Sequence, residues 1–235
     1  MAENVLNVLG RRITDGELPA GAVFTVAQIE EEFGAARSVV REAIGVLGSI
    51  GMVEPRRRVG VIVTAQDRWD PYDPHLIRWL LGGSQRSAHL EALMELRLAV
   101  EPLAARLAAD RATPDERADL LRHAEVLHQL GERGQGNTQG YLEADIAFHS
   151  TLLRASGNPF LAGLATPVAE VLRGRTELGL TPGRPAAGTL EDHVATARAI
   201  ASHDATTASS RSTAHLETVR REVSTDGTTD AEAGD

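Results

Sequence analysis

The chain has 235 residues, 42% of them apolar and 24% charged, with no cysteine and a net charge of −9. That length holds one large or two modest domains, and the missing cysteine excludes disulfide scaffolds, thiolate zinc fingers, iron–sulfur clusters and cysteine nucleophiles. No apolar run approaches the ~18 residues of a membrane span, and Met1 to Arg12 lacks the pattern of a signal peptide, so a cytoplasmic protein with no membrane partner is expected.

The charge is uneven. Residues 1–65 carry seven Arg and eight acids, a net of −1, while the remaining 17 Arg and 25 acids leave residues 66–235 at −8. All 24 basic residues are Arg. Arg suits bidentate contacts to phosphate and guanine, although a GC-rich coding bias produces the same composition.

Three short helices are predicted first. One runs from about Asn4 to Asp15. The second is capped by Thr25 and ended by Gly34. The third runs from about Arg37 to Ile50, where Val40, Ala43, Ile44 and Leu47 follow the i, i+3, i+4, i+7 spacing of one buried face. Strand-like runs at 51–54 and 59–63, separated by Pro55-Arg-Arg-Arg58, read as a small β-hairpin. Three helices and a hairpin form the winged helix-turn-helix pattern, assigned to residues 1–65.

Residues 66–83 read as a linker. Trp69, Tyr72 and Trp79 fall here, three of the chain's eight aromatics, so the segment is expected to dock on a domain. Asp73 and Pro74 are placed to cap and open a short helix. Residues 84–223 read as helical throughout, with breaks at Pro114, 131–140, 157–159 and 181–188. That gives roughly six helices, an all-helical bundle. Residues 224–235 are small, polar and acidic and read as a disordered tail. The fold class is therefore mainly α.

Arg37 and Arg41 are four apart and project from one outward face at the start of the third helix. A pair so placed reaches guanine O6 and N7 in a major groove. Ser38 and the helix N-terminus suit a phosphate. Arg56, Arg57 and Arg58 at the hairpin tip would straddle the backbone or the minor groove, and Gly60 would allow close approach. Asp15-Gly-Glu-Leu-Pro-Ala-Gly21, Arg37-Ser-Val-Val-Arg-Glu-Ala43, Gly51-Met-Val-Glu54 and Arg58-Val-Gly60 together resemble the N-terminal domain of GntR-family bacterial transcription regulators. The family signature is Ser-Arg-x-x-x-Arg-Glu-Ala. Ala36 stands here for its Ser, with the loss of a cap or phosphate contact worth about 1 kcal/mol. Val61 stands where a Thr usually follows the wing glycine.

In the second half, Asp145 and His149 are i, i+4 on one helix face, and His193 and His215 lie on two later helices. One carboxylate and three imidazoles from three helices suit a divalent metal such as Zn²⁺, Ni²⁺ or Mn²⁺, provided the helices meet. Arg154, Arg173 and Arg175 read as helix-surface salt-bridge residues, with lining of the ligand pocket as the alternative. Phe148-His-Ser-Thr-Leu-Leu-Arg-Ala-Ser-Gly-Asn-Pro159, Glu95-Leu-Arg97 and Glu101-Pro-Leu-Ala-Ala105, with the late histidines, resemble the FCD effector domain of the FadR-type branch of that family. The resemblance implies a metal held by Asp145, His149, His193 and His215, and a small carboxylate effector bound by that metal and Arg97. It also implies a homodimer on a double-stranded DNA operator. The Trp69 to Trp79 segment resembles FCD regulators of sugar-acid catabolism. The expected protein is thus a metabolite-responsive transcription regulator, a repressor and not an enzyme. A metal-sensing regulator is the alternative. A metal-dependent hydrolase is a weaker one, since no general base stands beside the ligands and a winged helix would go unused.

Overall fold

The computed structural model describes residues 1–229, with side chains through Glu222. The chain divides into two units, residues 1–86 and residues from Ser87 on. It is mainly helical, and among the described residues no helix is long and apolar enough to cross a membrane.

The first unit holds α1 (Ala2–Thr14), β1 (Val23–Phe24), α2 (Val26–Phe33), α3 (Arg37–Ser49), β2 (Val53–Arg56), β3 (Gly60–Val63) and α4 (Pro74–Gly82). The starts and stops follow local chemistry. Thr25 accepts a hydrogen bond from the Gln28 N–H at 3.2 Å, and Gln28 Oε1 accepts one from the Thr25 N–H at 2.7 Å. This reciprocal box opens α2. Gly34, at φ 58°, closes it in the left-handed region that an L side chain resists. At the start of α3, Ala36 makes no side-chain cap, so the first-turn N–H groups lack the oxygen a Ser would supply.

Two expectations need correcting here. β2 lies two residues later than the sequence pattern suggests and β3 begins one residue later, because Pro55 and Arg56 pair with Val61 and Gly60 across the ladder. A third strand, β1, adds to β3, giving the order β1-β3-β2. Two residues are too short to show a period, so only tertiary pairing reveals it. Val5, Leu6, Leu9 and Ile13 of α1 and Val40, Ala43, Ile44 and Leu47 of α3 close the core with Phe24, Val53, Val61 and Val63.

The segment read as a linker, residues 66–83, is built into this unit. Asp73 caps α4 by accepting from the His75 and Leu76 N–H groups. Trp79 is 2% exposed. Its ring lies against Gly10 of α1, where a Cβ would come within 2.5 Å, and its Nε1 donates to Asn7 Oδ1 at 3.0 Å. Replacing a mid-helix Gly by Ala ordinarily stabilises a helix by about 1 kcal/mol. Gly10→Ala is expected to do the opposite, destabilising this unit by about 1–3 kcal/mol through overpacking. Both tryptophans of the chain lie here, so denaturant unfolding followed by Trp fluorescence reports this unit alone. An unchanged or raised midpoint would contradict the packing.

The second unit is helical: α5 (Arg86–Arg111, whose first residue belongs to the first unit), α6 (Pro114–Glu132), α7 (Gln139–Ala155), α8 (Pro159–Ala162), α9 (Ala165–Glu177), α10 (Thr189–Ala201) and α11 (Ala205–Thr229). Small residues set the spacing. Ala104, Ala105, Ala108 and Ala109 of α5 are fully buried and pack in one core with Leu120, Leu127, Phe148, Leu152, Ala197 and Ile200. Two breaks escape the sequence pattern. Gly163 and Leu164 separate α8 from α9, and Ser202-His-Asp204 separates α10 from α11 with His203 at φ 62°. The expected tail from Ser224 begins inside α11, which runs to Thr229; residues 230–235 lie outside the described residues.

Candidate functional site

The first candidate surface is on the winged unit. Arg37, Ser38 and Arg41 are exposed on the first turns of α3. The buried face of that helix is occupied by Val40, Ala43, Ile44 and Leu47, which forces both arginines outward. The only carboxylate within ion-pair range of Arg37 among the described residues is Glu30, at 4.0 Å. Arg56, Arg57 and Arg58 are exposed at the hairpin tip, with Arg58 at φ 66°. Arg56 Nε is 3.3 Å from Glu54, which also pairs with Arg68 at 3.1 Å. Those two guanidinium groups hold the Glu54 carboxyl below the usual range.

Two wing residues have structural explanations of their own. Gly60 sits at φ 129°, and a Cβ there would meet the Phe24 carbonyl oxygen at 2.6 Å. β1 can pair with β3 only without that atom. Val61 is 4% exposed and faces the core, so a hydroxyl at this position would point inward rather than toward a phosphate.

The second candidate is inside the bundle. α7 supplies Asp145 and His149, α10 His193 and α11 His215. The three histidines are buried, with ligand nitrogens within 4.8 Å of one another. Asp145 Oδ1 lies 3.3 Å from His149 Nε2 and 3.5 Å from His193 Nε2, and the two Nε2 atoms are 3.4 Å apart. Donors bound at ≈ 2.1 Å to one metal are separated by ~3.0 Å at 90° and ~3.4 Å at 109°. The separations therefore fit a shared ion.

Hydrogen bonding points the same way. His193 Nδ1 is 2.9 Å from the Thr189 carbonyl oxygen, to which it must donate, leaving its Nε2 a bare lone pair. His149 Nδ1 is 2.5 Å from Glu101 Oε2 and donates to it. Its Nε2 then lies 3.2 Å from the Arg97 Nη2 donor and 3.4 Å from His193 Nε2. Asp145 Oδ1 and His215 Nδ1 are buried with no hydrogen bond at all. The His193 Nε2 lone pair, the orphaned Asp145 oxygen and the unpartnered His215 nitrogen converge, an arrangement that a cation among them would satisfy.

The electrostatics follow from the burial. Burial would raise the Asp145 carboxyl, but His149 and His193 hold it well below the usual range. Burial, reinforced by the neighbouring imidazoles, pushes His215 well below the ordinary imidazole value.

Behind the histidines stands a pair the sequence only half revealed. Arg97 is 1% exposed and Glu101 is 0%. Arg97 Nε donates to Glu101 Oε1 at 2.5 Å, and Arg97 Nη2 lies 3.3 Å from His149 Nδ1 and 3.2 Å from His149 Nε2; with Nδ1 donating to Glu101, Nε2 is the acceptor. Burial would raise Glu101, but Arg97 and His149 hold it at about 2. Arg97 Nη1 is buried without a hydrogen bond. A cavity of ≈ 20 Å³ opens beside it, lined by Asp145, His193, His215, Tyr141 and Arg175 among others. That volume holds about one water molecule.

Arg175 is a correction. It reads as a helix-surface residue in the sequence, yet it is 5% exposed and lines the cavity. Arg173 does behave as expected, pairing with Glu170 at 2.7 Å. Arg154 donates to Thr151 on its own helix. Glu101 was quoted in the sequence only as part of a family motif. Its spacing of four from Arg97 within an Ala-rich helix is the signal that marks it as that residue's partner.

Comparison with known proteins now adds to the geometry. Residues 1–63 match the family described as bacterial regulatory proteins, gntR family, and residues 92–218 match the FCD domain. The galactonate operon transcriptional repressor of Escherichia coli (strain K12) is 29% identical over 206 residues, 86% of this chain and 87% of that one. The HTH-type transcriptional regulator LutR of Bacillus subtilis (strain 168) is 31% identical over 161 residues, 68% of this chain and 70% of that one. Among solved structures, Streptococcus agalactiae GntR aligns with a TM-score of 0.52 at 25% identity, covering 94% of this chain and 99% of that one. A winged helix bearing outward arginines, an FCD-matched helical domain and relatives named as transcription regulators make this chain a member of the GntR family of transcription regulators, FCD-containing FadR-type branch, and not an enzyme.

Proposed function

We propose that this protein is a cytoplasmic, metabolite-responsive repressor that binds double-stranded operator DNA as a homodimer and is switched by a small sugar acid. The observation that carries this is the buried cluster of Asp145, His149, His193 and His215, which adjoins an unpaired guanidinium N–H of Arg97 in one cavity. The four side chains would hold a divalent ion such as Zn²⁺, Ni²⁺ or Mn²⁺. When bound, the ion supplies chelation for a carboxylate or α-hydroxy acid. Arg97 Nη1 donates to the same carboxylate, and its other face is held by Glu101. The relative named as a galactonate operon repressor supports sugar acids as the effector class.

On the winged unit, Arg37 and Arg41 read base edges, Ser38 and the α3 N-terminus hold a phosphate, and Arg56, Arg57 and Arg58 follow the backbone. Gly60 shapes the wing that carries them. The effector must bind the DNA-competent and DNA-incompetent states unequally for any switch to result. The cavity holds only a water's volume, so binding also requires its wall at Thr181, Pro182 and Pro185 to move.

The test is a thermal-shift panel of sugar acids and small hydroxy acids, with and without chelator. An effector at 100-fold its Kd stabilises by ≈ 2.7 kcal/mol. A chelator-sensitive hit that disappears in Arg97→Ala, with operator binding retained, is the expected result. A metal-loaded protein that answers to none of the acids overturns the carboxylate reading and favours metal sensing.

A further inference from the structure

Most of the cavity's unpaired polar atoms are accounted for by a metal and one carboxylate. Asp145 Oδ1 and His215 Nδ1 surround the metal position, and Arg97 Nη1 faces the carboxylate. Arg175 Nε and Thr189 Oγ1 are left over, both buried and without a hydrogen bond, and Arg175 is the charged one of the two. It enters from α9, an element that supplies none of the four ligands. Its nearest carboxylate in ion-pair range is Glu222, 3.9 Å from Nη2, too long for a hydrogen bond; Glu222 Oε1 already accepts the Ala186 N–H at 2.7 Å.

A buried guanidinium with an unused N–H costs free energy unless something accepts from it. Burial and the nearby charge of Arg97 both disfavour the Arg175 cation, and Asp145 and Glu222 offset them in part. Among the described residues nothing accepts from this N–H, and an oxygen of the effector would.

We infer that Arg175 is a second effector contact, reading an oxygen at the end of the molecule remote from the chelated carboxylate. This rests on the proposed metal–carboxylate site. The effector class narrows accordingly. It is an acid carrying a further hydroxyl or acid oxygen several bonds from its first carboxylate, as a six-carbon aldonate or aldarate does, and as acetate or lactate does not.

Isothermal titration of the metal-loaded full chain separates these claims. The probes are galactonate and galactarate as long acids, and lactate as a short one. The variants are Arg175→Met, which keeps the apolar stem without the donor, and Arg97→Ala, with metal content measured in each. The expected result is that Arg175→Met keeps its metal and weakens the tighter of the two long acids by roughly 10- to 100-fold, the span of a hydrogen bond to a charged group. Lactate should be unaffected by Arg175→Met, while Arg97→Ala weakens both kinds of acid. Equal weakening of long and short acids by Arg175→Met overturns the inference, because it marks a general electrostatic or structural role. No weakening of either also overturns it. Both results leave the proposed function standing. Failure of every acid to bind metal-loaded wild type, or indifference to Arg97→Ala, sinks the proposed function and this inference with it.

Discussion

Chelation is expected to lower the melting temperature of the helical domain by roughly 8–16 °C. A ligand present at 1,000 times its Kd stabilises by ≈ 4.1 kcal/mol, and each kcal/mol moves a domain of this size by about 2–4 °C. The stabilisation arises because Asp145, His149 and His193 hold their donor atoms 3.3–3.5 Å apart, a spacing that a single ion satisfies at once. His193→Ala removes one donor whose tautomer is fixed by Thr189, so this variant should melt at the chelated temperature and ignore added chelator. Calorimetry with metal analysis checks both points. A wild-type protein that carries no metal after exposure to Zn²⁺, Ni²⁺ and Mn²⁺ would refute the centre outright.

The second large effect concerns DNA. Arg41→Ala should weaken specific operator binding by about 1–3 kcal/mol per half-site, the worth of one bidentate contact to a base. Its effector affinity should be unchanged, since the four metal-site residues and Arg97 all belong to the other unit. Arg57→Ala supplies the contrast. A phosphate contact weakens binding to every sequence alike and lowers the salt slope by about one. The operator can be obtained by selection from a random duplex library. If Arg41→Ala binds the selected duplex as wild type does, base reading by the first turns of α3 is wrong.

Much of the fold was legible because its determinants are local. The apolar face of α3, the Thr25 box, the Gly34 stop and the Asp73-Pro74 start each lie within one turn of chain. What escaped depends on partners far away. β1 is a strand only because β3 lies beside it. The end of α10 contains neither Gly nor Pro, and the one local signal there is Asp204, whose carboxylate accepts the Thr207 N–H at 3.0 Å and caps α11. In the site, spacing put Asp145 and His149 on one face, but only the packing of α7, α10 and α11 shows that His193 and His215 reach them. Arg175 was misread for a physical reason. An arginine on a helix is ordinarily solvated, and nothing near it in sequence reveals the cavity wall contributed by residues 181–189. Gly60 carried the reverse lesson: its freedom serves the sheet, through the Phe24 carbonyl, before it serves any ligand.

Glu101 divides its two oxygens between Arg97 and His149. One carboxylate thus orients both a proposed metal ligand and the guanidinium proposed to bind the effector. Under that reading the two binding events share a single thermodynamic cycle. Whatever factor the ion adds to effector affinity, the effector must add to ion affinity. The cell's free metal level and its metabolite level would then enter the regulator as a product rather than as separate signals, and starvation for the metal would mimic absence of the metabolite.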